Sequence, residues 1–264
     1  MDTYTHGHAE PVLQSHRWRT AENSAGYLLP SLRPGLDLLD VGCGPGTITV
    51  DLAACVAPGR VVGLDVSPDP LPEARAAAAR ADVQVSFEVG DVYALELDDD
   101  TFDVVHAHQV LQHLTDPVGA LRELARVCRP GGVIAVRDVD YGAFVTFPAD
   151  TGLDRWLDLY HRVARRNDAE PHAGRHLLSW AHAAGLRDVT ATASSWCYAS
   201  PAEREWWGNS WAGRATSSAF AEQAVAYGLA SPAELEEIAA AWRRWRDADD
   251  GWLGMLHGEL LIHV

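Results

Sequence analysis

The chain has little with which to cross-link itself, hold a polyanion or enter a membrane. Its four cysteines, Cys43, Cys55, Cys128 and Cys197, stand far apart and form no CxxC pair, which argues against a disulfide framework or a cysteine zinc site. No apolar run is long enough to span a bilayer, and the opening MDTYTHGHAEPV has neither a basic leader nor an apolar core, so a cytoplasmic protein is expected. Basic residues number 21 against 37 acidic ones, a formal charge of -16. That balance repels phosphate backbones and anionic lipid, and no local basic patch offsets it. Arg243, Arg244 and Arg246 are interleaved with Trp242, Trp245 and Asp247, as on a solvated helix face. Nucleic acid and membrane are therefore not expected partners. There is no low-complexity segment.

What is present is ordinary globular material. With 264 residues, 47% hydrophobic and 22% charged, the chain can bury one large α/β core carrying an insertion. Residues 36–41 (LDLLDV), 61–66 (VVGLDV), 83–89 (VQVSFEV), 102–108 (FDVVHAH) and 133–139 (VIAVRDV) read as short strands. Helical segments fall between them, among them Pro72 to Ala81 and Pro117 to Cys128, the latter with Asp116 as N-cap and Pro130-Gly131-Gly132 as its stop. Such alternation builds a parallel sheet with helices on both faces.

After Tyr141 the rhythm changes. Trp156, Leu159, Tyr160 and Val163 recur at helical spacing, and a further helix is expected from His176 to Ala184, stopped by Gly185. Leu186 to Tyr198 alternates as a strand. Ser200-Pro201-Ala202-Glu203 and Ser231-Pro232-Ala233-Glu234 both match a capping box with proline at the first helical position. Residues 201–247 thus read as a helical insertion, and Trp252 to Val264 as a closing strand that Gly254 and Gly258 would weaken. The expected organisation is an N-terminal helical cap at 1–34, a core at 35–200 and 248–264, and a lid at 201–247.

One stretch carries the chemistry. LLDVGCGPGT places Gly42, Gly44 and Gly46 between a strand and a helix, where bare peptide N–H groups at a helix start can face an anionic or polar ligand. Asp65 ends the second strand, where a carboxylate can accept from ribose hydroxyls, and Asp91 follows the third, within reach of an adenine amine. In series they describe a nucleoside lying across the carboxyl ends of parallel strands.

LLDVGCGPGT, GLDVS, VGDVYAL and FDVVHAHQVLQHLTDP resemble the successive motifs of class I S-adenosylmethionine-dependent methyltransferases, in order, over roughly Leu36 to Val139. The resemblance implies a Rossmann-like seven-stranded sheet closed by an antiparallel hairpin, with S-adenosylmethionine as cofactor, S-adenosylhomocysteine as product and no metal. It further implies that Gly42, Cys43, Gly44 and Gly46 approach the methionyl part, that Asp65 with Val66 holds the ribose, that Asp91 with Val92 borders the adenine, and that Gln109 lies near the methionine end.

Methyl transfer from a sulfonium asks mainly for orientation and desolvation. The need for a base depends on the acceptor: a thiol is already partly ionised near neutrality, while an alcohol or carbon is not. His113, and with it His108, are the candidate acceptor contacts or bases. His106 and His108 share a strand face, but no carboxylate or cysteine completes a metal-ligand spacing. Ser15 to Pro30 reads as a helix laying Trp18 and Tyr27 over the crevice. Trp206, Trp207 and Trp211, among ten tryptophans, would wall an aromatic pocket under a mobile lid. Along most of its length the chain is also similar to thiol S-methyltransferases that cap reduced dithiols such as gliotoxin and holomycin, which implies detoxification or self-protection. A C-, O- or N-methyltransferase of a quinone, phenol or amine, of the ubiquinone-biosynthesis type, is the alternative. Nothing in the sequence specifies the oligomeric state.

Overall fold

A computed structural model describes Thr5 and residues 16–264. In chain order the elements are α1 (Ala21–Ala25), a 3-10 turn (Leu29–Ser31), β1 (Leu38–Val41), α2 (Thr47–Val56), β2 (Val61–Asp65), α3 (Leu71–Ala81), β3 (Ser86–Val89), β4 (Phe102–His108), a second 3-10 turn (Leu111–His113), α4 (Pro117–Val127), β5 (Cys128–Phe147), α5 (Thr151–Arg166), α6 (Ala173–Ala184), β6 (Val189–Tyr198), α7 (Pro201–Thr216), α8 (Ala219–Ala226), α9 (Pro232–Asp247) and β7 (Trp252–His263).

The strands form one seven-stranded sheet in the order β3-β2-β1-β4-β5-β7-β6. The first five run parallel, and β7 is antiparallel to both β5 and β6. This is the Rossmann-like, hairpin-closed sheet anticipated from the motifs. Alternation along each strand divides the burial between two faces. Leu38, Val61 and Val104 pack on one side with Ala25, Leu28 and Leu52, while Leu39, Val62 and Val105 pack on the other with Leu121, Leu124 and Leu177.

The caps behave as local chemistry dictates. Asp116 accepts from Gly119 N at 2.8 Å with Pro117 opening α4, and Ser200–Glu203 and Ser231–Glu234 both close reciprocal capping boxes. Three helices, α7 to α9, follow β6 in the expected insertion. They do not stand apart from the sheet: Trp207, Trp211, Trp242 and Trp245 form one continuous core with Trp156 and Tyr160 of α5 and with Tyr198 and Met255 of the hairpin.

Three expectations are corrected. Ser15 to Pro30 is not one helix; Ser15 lies outside the described residues, and Thr20 caps a separate α1 through a reciprocal pair with Asn23, after which Pro30 sits in a 3-10 turn. β5 does not stop near Val139 but continues past a register shift to pair Phe144–Phe147 with Met255–Trp252. Gly258 does not weaken β7: an added Cβ would lie 2.0 Å from the Gly174 carbonyl oxygen, so its bareness lets α6 press against the sheet.

Candidate functional site

A crevice opens at the carboxyl ends of β1 to β4, beside the point where the strand order reverses between β1 and β4. This is the usual ligand position in an open α/β sheet. Gly42–Pro45 with Thr47 form one wall, Asp65, Val66 and Pro70 a second, Gly90–Tyr93 a third, and His108–Val110 with His113 and Leu114 the fourth; His16 and Arg19 close it from above. Of the residues expected to hold a cofactor, Gly42, Cys43, Gly44, Asp65, Val66, Asp91, Val92 and Gln109 all line it.

The three glycines have different reasons to be glycine. All have left-handed φ, at 72°, 53° and 79°, which favours a residue without Cβ. A Cβ on Gly42 would sit 2.4 Å from Val110 Cγ2, and one on Gly46 would sit 2.8 Å from Ala74 Cβ. Those two are closed off by the protein itself. Gly44 meets nothing nearer than His16 Nδ1 at 3.9 Å, and of the three it alone presents open backbone to a ligand. Gly46 does not line the crevice; it starts α2 and seats α3.

The loop is tied to β2. Gly42 N and Cys43 N donate to Leu64 O at 2.7 and 2.9 Å, and Gly44 N donates to Asp65 Oδ2 at 3.0 Å. Ser67 N holds the other Asp65 oxygen at 3.0 Å. Asp91 is exposed and accepts from Tyr93 N at 3.0 Å. The Cys43 thiol is pushed well up by burial and by the neighbouring Asp40 and Asp65, so it stays protonated.

Gln109 takes φ 55°, an uncommon conformation for a residue with a Cβ and one that recurs at functional sites. Its backbone N donates to Arg137 O at 2.7 Å. Its side chain spans the end of the crevice, accepting from Arg19 Nη2 at 2.7 Å and meeting His257 Nε2 at 3.0 Å. With Oε1 accepting from Arg19, the amide Nε2 donates to the His257 ring.

The histidines separate. His106 Nδ1 lies 2.7 Å from Asp40 Oδ1 in the sheet, and Thr49 Oγ1 donates to the other oxygen at 2.5 Å. Among the described residues no group of three or more His, Cys, Asp and Glu side chains is placed to hold a metal ion. His108 and His113 line the crevice. Burial, with the charge of Arg19 adding to it, pushes His113 down to about 3 and His108 well below the ordinary imidazole value. Neither takes up a proton near neutrality in this state.

The aromatic expectation is corrected. Trp18, Tyr27, Trp206, Trp207 and Trp211 are absent from the crevice lining. Trp207 and Trp211 are 4% and 0% exposed, because α7 packs against α5 and α9 rather than over the sheet's end. Trp206 is half-buried and stacks on Trp18 with centroids 5.4 Å apart. The Tyr27 hydroxyl is buried in the field of Arg137, Glu259, Asp138 and Asp40, and burial pushes it up.

Sequence reasoning missed several residues around this site. His16, Arg19 and Tyr93 line the crevice, and a buried polar layer lies beneath it. Arg137 donates through Nε to Glu259 at 3.0 Å, Ser194 donates to the same carboxylate, and the Arg137 guanidinium lies over the Trp196 ring at 4.9 Å. Asp138 accepts from Gln112 N at 3.1 Å and is pushed up to about 7, mainly by burial. The only sequence signal was charge inside apolar strands: Arg137 and Asp138 in VIAVRDV, and Glu259 in MLHGELLI.

Comparison with known proteins agrees with the geometry. Residues 32–197 match the family described as Methyltransferase domain. The chain is 33% identical to an uncharacterized methyltransferase of Schizosaccharomyces pombe over 98% of this chain and 95% of the relative. It is 29% identical to the probable methyltransferase ltbC of Aspergillus luteorubrus, over 98% and 96%. In fold it is similar to the YcgJ protein of Bacillus subtilis, with a TM-score of 0.60 at 18% identity over 91% of this chain and 98% of that one. The chain belongs to the methyltransferase domain family.

Proposed function

We propose that the protein transfers the methyl group of S-adenosylmethionine to a thiol of a small molecule, with a reduced dithiol natural product of the holomycin or gliotoxin type as acceptor and detoxification or self-protection as the role. Asp65 would take the ribose hydroxyls and Asp91 with Val92 the adenine. The open backbone at Gly44, with Cys43 and Val66 beside it, leaves room for the cofactor, whose methionine end would run toward Gln109. That donor set fits a nucleoside: two carboxylates at successive strand ends, and glycine backbone between them. When bound, the cofactor supplies the activated methyl, and the protein supplies position and a dry site.

The observation that carries the thiol reading is the state of the two crevice histidines. Burial lowers the affinity of both rings for a proton, so the acceptor end offers no imidazole base of ordinary strength. An acceptor that ionises by itself near neutrality suits such a site, and a thiol does so where an alcohol does not. Mass spectrometry with S-adenosylmethionine and reduced holomycin, reduced gliotoxin, a monothiol, a catechol and a quinol tests this. Methyl gain on the dithiols is expected. Gain confined to the catechol or quinol would move the enzyme to O- or C-methylation while leaving the cofactor site intact.

A further inference from the structure

His108 is 5% exposed, yet it lines the crevice, and neither ring nitrogen has a hydrogen-bond partner among the described residues. A buried imidazole with both nitrogens open is costly unless something completes it. It stands at the end of β4 next to Gln109, at the opposite end of the crevice from Asp65 and Asp91. Its ring is flanked by Trp196 at 5.7 Å and His257 at 6.4 Å.

The charged surroundings limit what can complete it. The groups acting most strongly on His108 are Arg19 and Arg137, then His257 and His106. Arg137 is matched by Glu259, and Arg19 donates to Gln109 Oε1 at the crevice wall. Added positive charge is disfavoured here, because burial and the arginines act in the same direction against it. For the same reason the ring is a poor resting place for a proton, which favours an acceptor that arrives already deprotonated.

We infer that His108 is a substrate-binding residue that donates a ring N–H to the reacting atom of an anionic acceptor, a thiolate, and so selects acidic nucleophiles over amines. This rests on the reading of the crevice as a methyl-transfer site. The thiol proton leaves to water before binding. The sulfur lone pair then forms the new S–C bond as the methyl carbon parts from the cofactor sulfonium, whose sulfur keeps the electron pair of the broken bond. The neutral imidazole takes no proton; it holds the thiolate in line and partly replaces its lost hydration.

Equilibrium dialysis on the full chain saturated with S-adenosylhomocysteine provides the test, using three probes that share a para-nitrophenyl ring: para-nitrothiophenolate, para-nitrothioanisole and para-nitrobenzylammonium. The wild-type protein should bind the thiolate best and the ammonium worst. His108→Phe should erase roughly tenfold or more of the preference for thiolate over thioether, in line with loss of a hydrogen bond to a charged group. His108→Asn, which keeps a donor, should restore part of it, each variant being held at saturating S-adenosylhomocysteine. An undiminished thiolate preference in His108→Phe, or ammonium bound better than thiolate by the wild type, overturns the inference. If His108→Phe does not fold, the wild-type ranking and the asparagine variant decide. Wild-type protein that fails to bind S-adenosylhomocysteine would instead count against the methyl-transfer reading itself.

Discussion

The Gly44 amide donates to Asp65 Oδ2 at 3.0 Å, so the loop that follows β1 and the acid that ends β2 are one unit. The carboxylate is oriented before any ligand arrives: one oxygen is fixed by the loop and the other by Ser67 N at 3.0 Å. Orientation in advance reduces the entropy lost on binding.

Asp65→Ala removes the tie to the loop together with the carboxylate proposed to accept from the ribose. Calorimetric affinity for S-adenosylhomocysteine should fall by about tenfold or more, the scale of a hydrogen bond to a charged group, while circular dichroism keeps the folded spectrum. Wild-type affinity in this variant would sink the ribose assignment.

Gly44→Ala and Gly46→Ala should fail differently. At Gly46 a Cβ would meet Ala74 at 2.8 Å and Phe87 at 3.1 Å, so overpacking and a left-handed φ together should cost about 1–3 kcal/mol in urea unfolding. At Gly44 the space is open to the crevice, so the larger loss should be in cofactor affinity. Equal effects of the two substitutions on both readouts would contradict these separate roles.

Trp211→Ala should behave as a core deletion. The ring is fully buried and edge-on to Trp156 at 4.5 Å, so a loss of about 3–5 kcal/mol is expected. S-adenosylhomocysteine affinity should be unchanged. Trp206→Ala, half-buried against Trp18, should cost less, and urea midpoints rank the two directly.

The pH dependence of stability separates Asp138 from His113. Asp138 is pushed up to about 7 in the fold, so its stabilising contribution is fully present below about pH 4, the ordinary aspartate range. It is lost as pH rises toward 7. Asparagine does not ionise, and the stability of Asp138→Asn relative to wild type should rise between those values and then level off. His113, pushed down to about 3, contributes fully above about pH 6.5 and loses that contribution as pH falls toward 3. His113→Asn should therefore gain on wild type in acid. Urea midpoints across pH 4 to 8 measure both, and a flat difference curve for Asp138→Asn would refute the buried, protonated carboxyl.

By itself the sequence determined the parallel core, the helix caps and most of the crevice, while the closing hairpin was implied by the family resemblance. These rest on short-range rules: residue alternation, capping boxes, glycines between a strand and a helix, and acids at strand ends. Gly42, Gly44, Asp65, Asp91 and Gln109 were found because each belongs to a contiguous motif. Only the tertiary structure decided what the tryptophans do, since an aromatic at helical spacing looks the same whether its helix faces a ligand or another helix. Trp211 faces Trp156, a residue 55 positions earlier in the chain. The structure alone likewise brought Arg19, Gln109 and His257 into one hydrogen-bonded line, and left His108 buried with both nitrogens open. Both outcomes depend on burial and on pairings between β4, β7 and the N-terminal cap, contacts that no local pattern of residues encodes.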